Sequence, residues 1–297
     1  MAPPRELLDG RSELLDRLLR RLPARAGRGD RDLDIEAARL RPDGSRGAHD
    51  PQVRVDGRRT ASRVTADGGQ TDRIGLFGGT FNPIHLGHLR AAEEVREALD
   101  LSRVLFIPSR IPPHKTADDV DPIATTEERL TWVETAIAGA EHFSIDRIEV
   151  DRDGPSYLVD TLTAIRERER GRRRTVFIVG EDAFAEMGDW RAPQEIFALT
   201  DLAVMTRPPG QLRDLAERMP DAVREAFDVS ADGREATHRD AGTRIQLVPI
   251  SALDISSSKV RIACRNGHSI RFLVPESIRA SVESSGRYGP TPSAERP

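Results

Sequence analysis

From Arg73 onward the chain alternates two kinds of apolar pattern, and that alternation restricts its fold more than any other feature. Runs of strand length (RIGLFG, RVLFIP, FSIDRIEV, TVFIVG, DLAVMTR, RIQLVPI) are separated by runs with helical spacing (HLRAAEEVREAL, TEERLTWVETAIAGA, YLVDTLTAIRERER, PQEIFAL, ISSSKVRIAC, PESIRASVES). The short runs are rich in Val, Ile and Phe and show little polar alternation, as expected of strands covered on both faces. Strands separated by helices of about 10 to 15 residues build βαβ units around a parallel sheet. The expected fold is an α/β domain over residues 72–283, a Rossmann-like doubly wound parallel sheet. After Pro208, GQLRDLAERMPDAVREAFDVSADGREATHRDAG reads as a helical excursion followed by a polar loop.

The flanks differ in kind. Residues 1–71 hold no Phe, Tyr or Trp, and carry 15 Arg against 12 acidic residues with Gly and Pro scattered among them. Such a composition buries too little apolar area to offset ordering entropy, so a mostly disordered extension is expected. Its exception is a leucine pattern from Leu7 to Leu22 that predicts a helix near residues 5–22. The segment 284–297, SSGRYGPTPSAERP, has the composition of a disordered tail.

Charge excludes some functions. A net charge of -4, spread along 297 residues, does not make the basic field of a nucleic-acid binder. The single cysteine, Cys264, cannot build a disulfide framework. No apolar run approaches about 18 residues and the first ten residues lack a secretory h-region, so no membrane span and a cytoplasmic location are expected.

The chemistry concentrates where the first strand ends, at Gly75-Leu76-Phe77-Gly78-Gly79-Thr80-Phe81-Asn82-Pro83-Ile84-His85-Leu86-Gly87-His88. A double glycine lets a ligand approach the backbone, and the helix behind it offers free N–H groups and the positive end of its dipole. This is a phosphate site. It is neither the G-x-G-x-x-G dinucleotide fingerprint nor a P-loop, which needs Gly-Lys-Ser/Thr. His85 and His88, three apart at the helix start, project to one side and can donate to phosphate oxygens. A zinc site would need further ligands at a suitable spacing, and none is present, so no protein-held metal is expected.

The string GLFGGTFNPIHLGHL resembles the signature of the H-x-G-H nucleotidyltransferases, and within them the bacterial nicotinate-nucleotide adenylyltransferases of NAD biosynthesis. Further segments match in order: Pro112-Pro113-His114-Lys115; Gly154-Pro155-Ser156-Tyr157 with Asp160-Thr161-Leu162; Gly180-Glu181-Asp182 with Trp190; Ile255-Ser256-Ser257-Ser258-Lys259-Val260-Arg261; and Ser269-Ile270-Arg271 with Leu273-Val274-Pro275. The resemblance spans about residues 73–283. It implies an enzyme that transfers AMP from ATP to nicotinate mononucleotide, with Mg²⁺ brought by ATP, no nucleic-acid partner, and an oligomeric state left open that includes a homo-oligomer. The related alternatives are pantetheine-phosphate adenylyltransferase, a cytidylyltransferase, or a nucleotide-sensing protein without turnover.

The same resemblance implies residue roles. Gly78, Gly79, Thr80 and Phe81 would line the nucleotide site through their backbone; His85, His88, Lys115 and Arg261 would handle phosphates; Ser257 and Ser258 would open a second anion cradle. Asp182 would hold a ribose hydroxyl, Trp190 would stack on the pyridine, Tyr157 would enclose it, and Arg207 would sit near the phosphates. Each has a plainer reading: Trp190 and Tyr157 as core, Asp182 as a helix cap, Arg207 and His114 as surface. Two departures stand out. Asn82 replaces the family's frequent Asp, keeping hydrogen bonding and losing charge, and Leu158 replaces a common Thr. Of the 45 basic residues only two are lysines, Lys115 and Lys259, and both fall inside matching segments.

Overall fold

The computed structural model describes residues 72–112, 122–206, 214–251 and 253–289. The extension 1–71 with its expected helix, Lys115, Arg207 and residues 290–297 lie outside them. The described chain forms an eight-stranded sheet in the order β3-β2-β1-β4-β5-β8-β7-β6. Its strands are β1 (Arg73–Gly79), β2 (Arg103–Pro108), β3 (Phe143–Ile145), β4 (Arg174–Gly180), β5 (Asp201–Thr206), β6 (Phe227–Val229), β7 (Glu235–His238) and β8 (Arg244–Pro249). The first five and β8 run parallel, and β7 and β6 add an antiparallel edge.

Helices α1 (Leu86–Ala98), α2 (Thr126–Ile137), α8 (Ser257–Arg265) and α9 (Glu276–Ser284) bury their apolar residues in one core with Phe77, Val104 and Phe106. Helices α3 (Leu158–Glu169), α4 (Glu181–Glu186), α5 (Pro193–Leu199), α6 (Leu215–Arg218) and α7 (Asp221–Arg224) bury theirs in a second core with Ile74, Leu76, Leu105 and Ile107. Alternate residues of each strand therefore feed opposite cores, which is why the strands read as continuous apolar runs. The expected doubly wound architecture is present, with a mixed rather than wholly parallel sheet.

Two differences have physical reasons. The expected polar loop after α7 is the β6–β7 hairpin: Asp232-Gly233 makes its turn, with Gly233 at φ +68°. Asp-Gly is the local signal that reveals a hairpin, and strands of three and four residues are too short to show alternation. The expected tail from residue 284 does not begin there, because Tyr288 is 2% exposed and packs near Trp132. Its hydroxyl donates to Asn82 Oδ1, which also accepts the Ala124 N–H at 2.9 Å, while Asn82 Nδ2 donates to the Pro122 carbonyl at 3.1 Å. The Ala124 N–H requires oxygen at that position, so the amide orientation follows from the network. Asn82 thus uses a donor that Asp lacks.

The fold turns at one conserved geometry of open sheets. Strand order reverses between β1 and β4, so the chain leaves β1 and β4 on opposite faces and opens a crevice beyond their carboxyl ends. Tyr288→Phe removes one buried hydrogen bond without changing the ring. The expected loss is about 1 kcal/mol in urea-induced unfolding, and an unchanged midpoint would mean that the terminal segment is not docked.

Candidate active site

The site is built around the turn that follows β1. Phe81 stands in the left-handed region at φ +47° and sends its ring into the core, 5.9 Å from Phe77 and 5.8 Å from Phe106. A Cβ on Gly79 would come within 3.2 Å of that ring, so the second glycine leaves room for the Phe81 side chain. The turn's carbonyls are tied from outside: Arg129 Nη1 donates to Thr80 O at 2.7 Å, Arg261 Nη1 to Asn82 O at 3.0 Å and Ser257 Oγ to Pro83 O at 2.9 Å.

His85 caps α1, whose first N–H, that of Leu86, donates to Leu273 O at 3.0 Å. This gives the late Ser269–Pro275 segment a role in setting the start of the helix. The His85 and His88 rings stack with centroids 3.6 Å apart. That stacking explains the intervening glycine, since a Cβ on Gly87 would approach His85 Nδ1 to 3.0 Å and Cε1 to 3.1 Å. The backbone N–H of His85 donates to His88 Nδ1 at 3.2 Å. An accepting Nδ1 means a neutral ring with its proton on Nε2, so His88 is oriented as a hydrogen-bond donor through Nε2.

Two cavities flank the turn. The first, about 490 Å³, is lined by Gly78, Gly79, Thr80, Ser109, Pro112, Glu149, Ser156, Tyr157, Leu158, Phe177, Asp189, Trp190, Arg191 and Ile196. Its walls are mainly apolar and aromatic, with Arg191 lying 4.7 Å over the Tyr157 ring. Glu149 is buried at its edge, accepting from the Thr161 hydroxyl at 2.8 Å and from Ser156. Burial pushes the Glu149 carboxyl above its usual range, and the Thr161 and Ser156 hydroxyls and Arg152 oppose that shift. Ser156 also accepts the Arg110 N–H at 3.0 Å, tying the Gly-Pro-Ser-Tyr segment to the exit of β2.

The second cavity, about 300 Å³, is lined by Phe77, His85, Gly87, His88, Ala91, Gly180, Met205, Ile250, Ser251, Leu253, Ile255, Ser256 and Ser257. It sits between the starts of α1 and α8. Ser256 caps α8 by accepting the Lys259 N–H at 3.2 Å. Glu94 of α1 accepts the Ser251 N–H at 2.6 Å and holds the cavity's outer loop. Two histidines, Ser256, Ser257 and two helix N-termini make one end anion-seeking, while Met205, Ile250 and Ile255 suit a flat apolar ring.

The structure brings most of the expected residues to these cavities. Gly78, Gly79, Thr80, Tyr157 and Trp190 line the first, and His85, His88 and Ser257 line the second. Arg261 is buried and binds the turn's backbone and, at 3.0 Å, Ser258 Oγ; Ser258 itself is exposed. Asp182 is exposed in the first turn of α4, which Gly180 caps, and lines neither cavity. Lys115 and Arg207 lie outside the described residues. Among the described residues no group of three His, Cys, Asp or Glu could hold a metal ion, and no helix is long and apolar enough to cross a membrane. Sequence reasoning missed Glu149, Asp189, Arg191 and Arg129, which carry no motif and become visible only when the chain is folded.

Gly87→Ala is expected to lower kcat/KM at least about tenfold by displacing the His85 ring, with little change in thermal unfolding; unaltered kinetics would detach the stacked pair from function. Glu149 supplies a pH test. A carboxyl whose native pKa lies above its unfolded value binds its proton more tightly when folded, so its stability contribution falls as pH rises from about 4 through the raised native value. Glu149→Gln is therefore expected to gain stability over the parent at pH 7 and to lose that gain near pH 4. A gain independent of pH would contradict the assignment.

Residues 76–263 match the cytidylyltransferase-like family model. Over 219 residues the chain is 44% identical to a Trichlorobacter lovleyi protein named "Probable nicotinate-nucleotide adenylyltransferase", covering 73% of this chain and 100% of that one. A Geobacter metallireducens protein of the same name is 42% identical over 216 residues, covering 73% and 98%. Among solved structures, the Plasmodium falciparum nicotinic acid mononucleotide adenylyltransferase complexed with NaAD superposes with a TM-score of 0.56 over 73% of this chain and 97% of that one. At 13% identity that likeness speaks for the fold. With its fold, its H-x-G-H turn and nearly the full length of these relatives in common, the chain belongs to the nicotinate-nucleotide adenylyltransferase family.

Proposed function

We propose that this chain transfers AMP from ATP to the 5′-phosphate of nicotinate mononucleotide, forming nicotinate adenine dinucleotide and pyrophosphate. The observation that carries the reading is the placement of two unlike cavities on either side of one glycine turn: an aromatic one with Trp190 and Tyr157, and an anion-seeking one with His85, His88 and Ser257. The pyridine mononucleotide enters the first and ATP the second, so their phosphates meet over Gly79 and His88. Membership of the family supports the same substrates, and an ATP-dependent step fits a cytoplasmic protein.

The nucleophile is a phosphate oxygen already ionised at neutral pH, so no general base is needed. It attacks the α-phosphorus, a new P–O bond forms, the bond from α-phosphorus to the bridging oxygen breaks, and pyrophosphate leaves with the electron pair. The opposing terms are repulsion between anions and the entropy of alignment, and orientation alone is worth up to about 7 to 11 kcal/mol. His88 donates from Nε2 to the triphosphate, His85 supports it by stacking, and Ser257 and Ser258 offer the α8 terminus. Lys115 and Arg207 are assigned to the phosphates and Asp182 to a ribose hydroxyl on sequence alone. Mg²⁺ enters as the substrate's own ion, neutralising triphosphate charge on substrate oxygens, and the neutral donors of the second cavity are compatible with that.

His88→Ala is expected to lower kcat about a hundredfold or more with the fold intact, and a near-normal kcat would remove His88 from catalysis. Trp190→Ala should raise KM for the mononucleotide far more than KM for ATP. Pyrophosphate release assayed with nicotinate and with nicotinamide mononucleotide tests the substrate directly: faster turnover of the acid is expected, and turnover of neither would favour another nucleotidyltransferase or a sensing role.

A further inference from the structure

Arg129 is a buried charge that the reaction as described does not use. It lies on α2 and is 1% exposed. Its guanidinium donates to three carbonyls, Thr80 O at 2.7 Å, Ala124 O at 3.1 Å and Arg110 O at 3.2 Å, and to Thr126 Oγ1 at 3.3 Å. Among the described residues no carboxylate pairs with it. Burial pulls its pKa down, and the nearby Tyr288 opposes this. A guanidinium taken out of water without a counter-charge is costly, and buried arginines ordinarily have a carboxylate partner. Carbonyl dipoles offset part of that cost and leave a net positive charge.

The position of that charge is informative. Thr80 lines the first cavity, and Arg110 follows Ser109, which lines it too. The guanidinium therefore stands immediately behind the turn where the phosphates of both substrates converge. It also sets the turn's polarity. In a trans peptide the C=O and N–H point opposite ways, so drawing the Thr80 carbonyl toward Arg129 directs the Phe81 N–H away from it.

We propose that Arg129 is an electrostatic positioning residue whose counter-charge, which no described residue provides, is supplied by substrate phosphate. This rests on the nucleotidyl-transfer reading above. A neutral donor could hold one carbonyl of the turn, but only a cation adds long-range attraction for a polyanion while remaining shielded from salt. A unit charge acting over roughly 8 Å at an effective dielectric of about 20 changes the affinity for a single opposite charge by a factor of about 30.

The test compares inorganic pyrophosphate with adenosine, an anion with a neutral ligand, by calorimetric titration of the full chain. Arg129→Gln and Arg129→Met should bind pyrophosphate at least about 30-fold more weakly, the factor for one of its charges, while adenosine affinity changes less than about threefold. Arg129→Lys, which keeps charge and loses the fork, should recover most of the pyrophosphate affinity. Equal weakening of both ligands, no weakening of pyrophosphate, or failure of both neutral variants to fold would each show a structural strut and overturn the proposal. Wild-type protein that binds neither ligand would overturn the nucleotide reading itself, and the role of Arg129 with it.

Discussion

The carbonyls of the turn from Thr80 to Pro83 are held by three side chains that come from two distant helices: Arg129 from α2, and Arg261 and Ser257 from α8. Everything else about the site follows from that restraint. A loop of this kind would otherwise sample many backbone conformations, and ordering each residue costs about 1 to 2 kcal/mol. Tying the carbonyls from the protein side leaves the glycine edge for a ligand and fixes where α1 begins. His85 and His88 are then positioned by the helix rather than by a flexible loop. The Asn82 amide extends the restraint to Pro122, Ala124 and Tyr288, so segments separated by more than 200 residues meet at one side chain.

Much of this was legible beforehand, and for identifiable reasons. The sheet could be read because doubly covered strands appear as unbroken Val, Ile and Phe runs, and the glycine turn because backbone approach to phosphate leaves few residue choices. The β6–β7 hairpin was not read from its pattern, although Asp232-Gly233 marks it. Arg129 was invisible because among 43 arginines in a chain with two lysines no single one stands out. Only its burial and its three carbonyl partners separate it from the surface arginines around it. Asn82 was read as a neutral exchange for Asp, whereas its amide nitrogen carries a specific bond to Pro122 that a carboxylate could not make.

Charge has a similar history. A formal total of -4 describes a mildly acidic chain, but cations and helix N-termini converge at the turn. Two acidic residues near it have partners: Glu94 holds the Ser251 N–H and Glu149 the Thr161 hydroxyl. Each supports a wall of one cavity. His88 contributes a donor without a fixed charge, because its Nδ1 is already an acceptor. On the proposed reading the site attracts anions through oriented dipoles and the buried guanidiniums of Arg129 and Arg261, and needs no perturbed acid or base for chemistry between two phosphates.

The central claim is that one turn joins two cavities which receive the two halves of a dinucleotide. A crystal structure of the chain with nicotinate adenine dinucleotide tests it most directly. The account predicts the pyridine between Trp190 and Tyr157, the adenine beside Met205 and Ile250, and the bridging diphosphate over Gly79 within hydrogen-bond reach of His88 Nε2. A dinucleotide bound with its halves exchanged, or with its phosphates away from the Gly79–His88 turn, would contradict it.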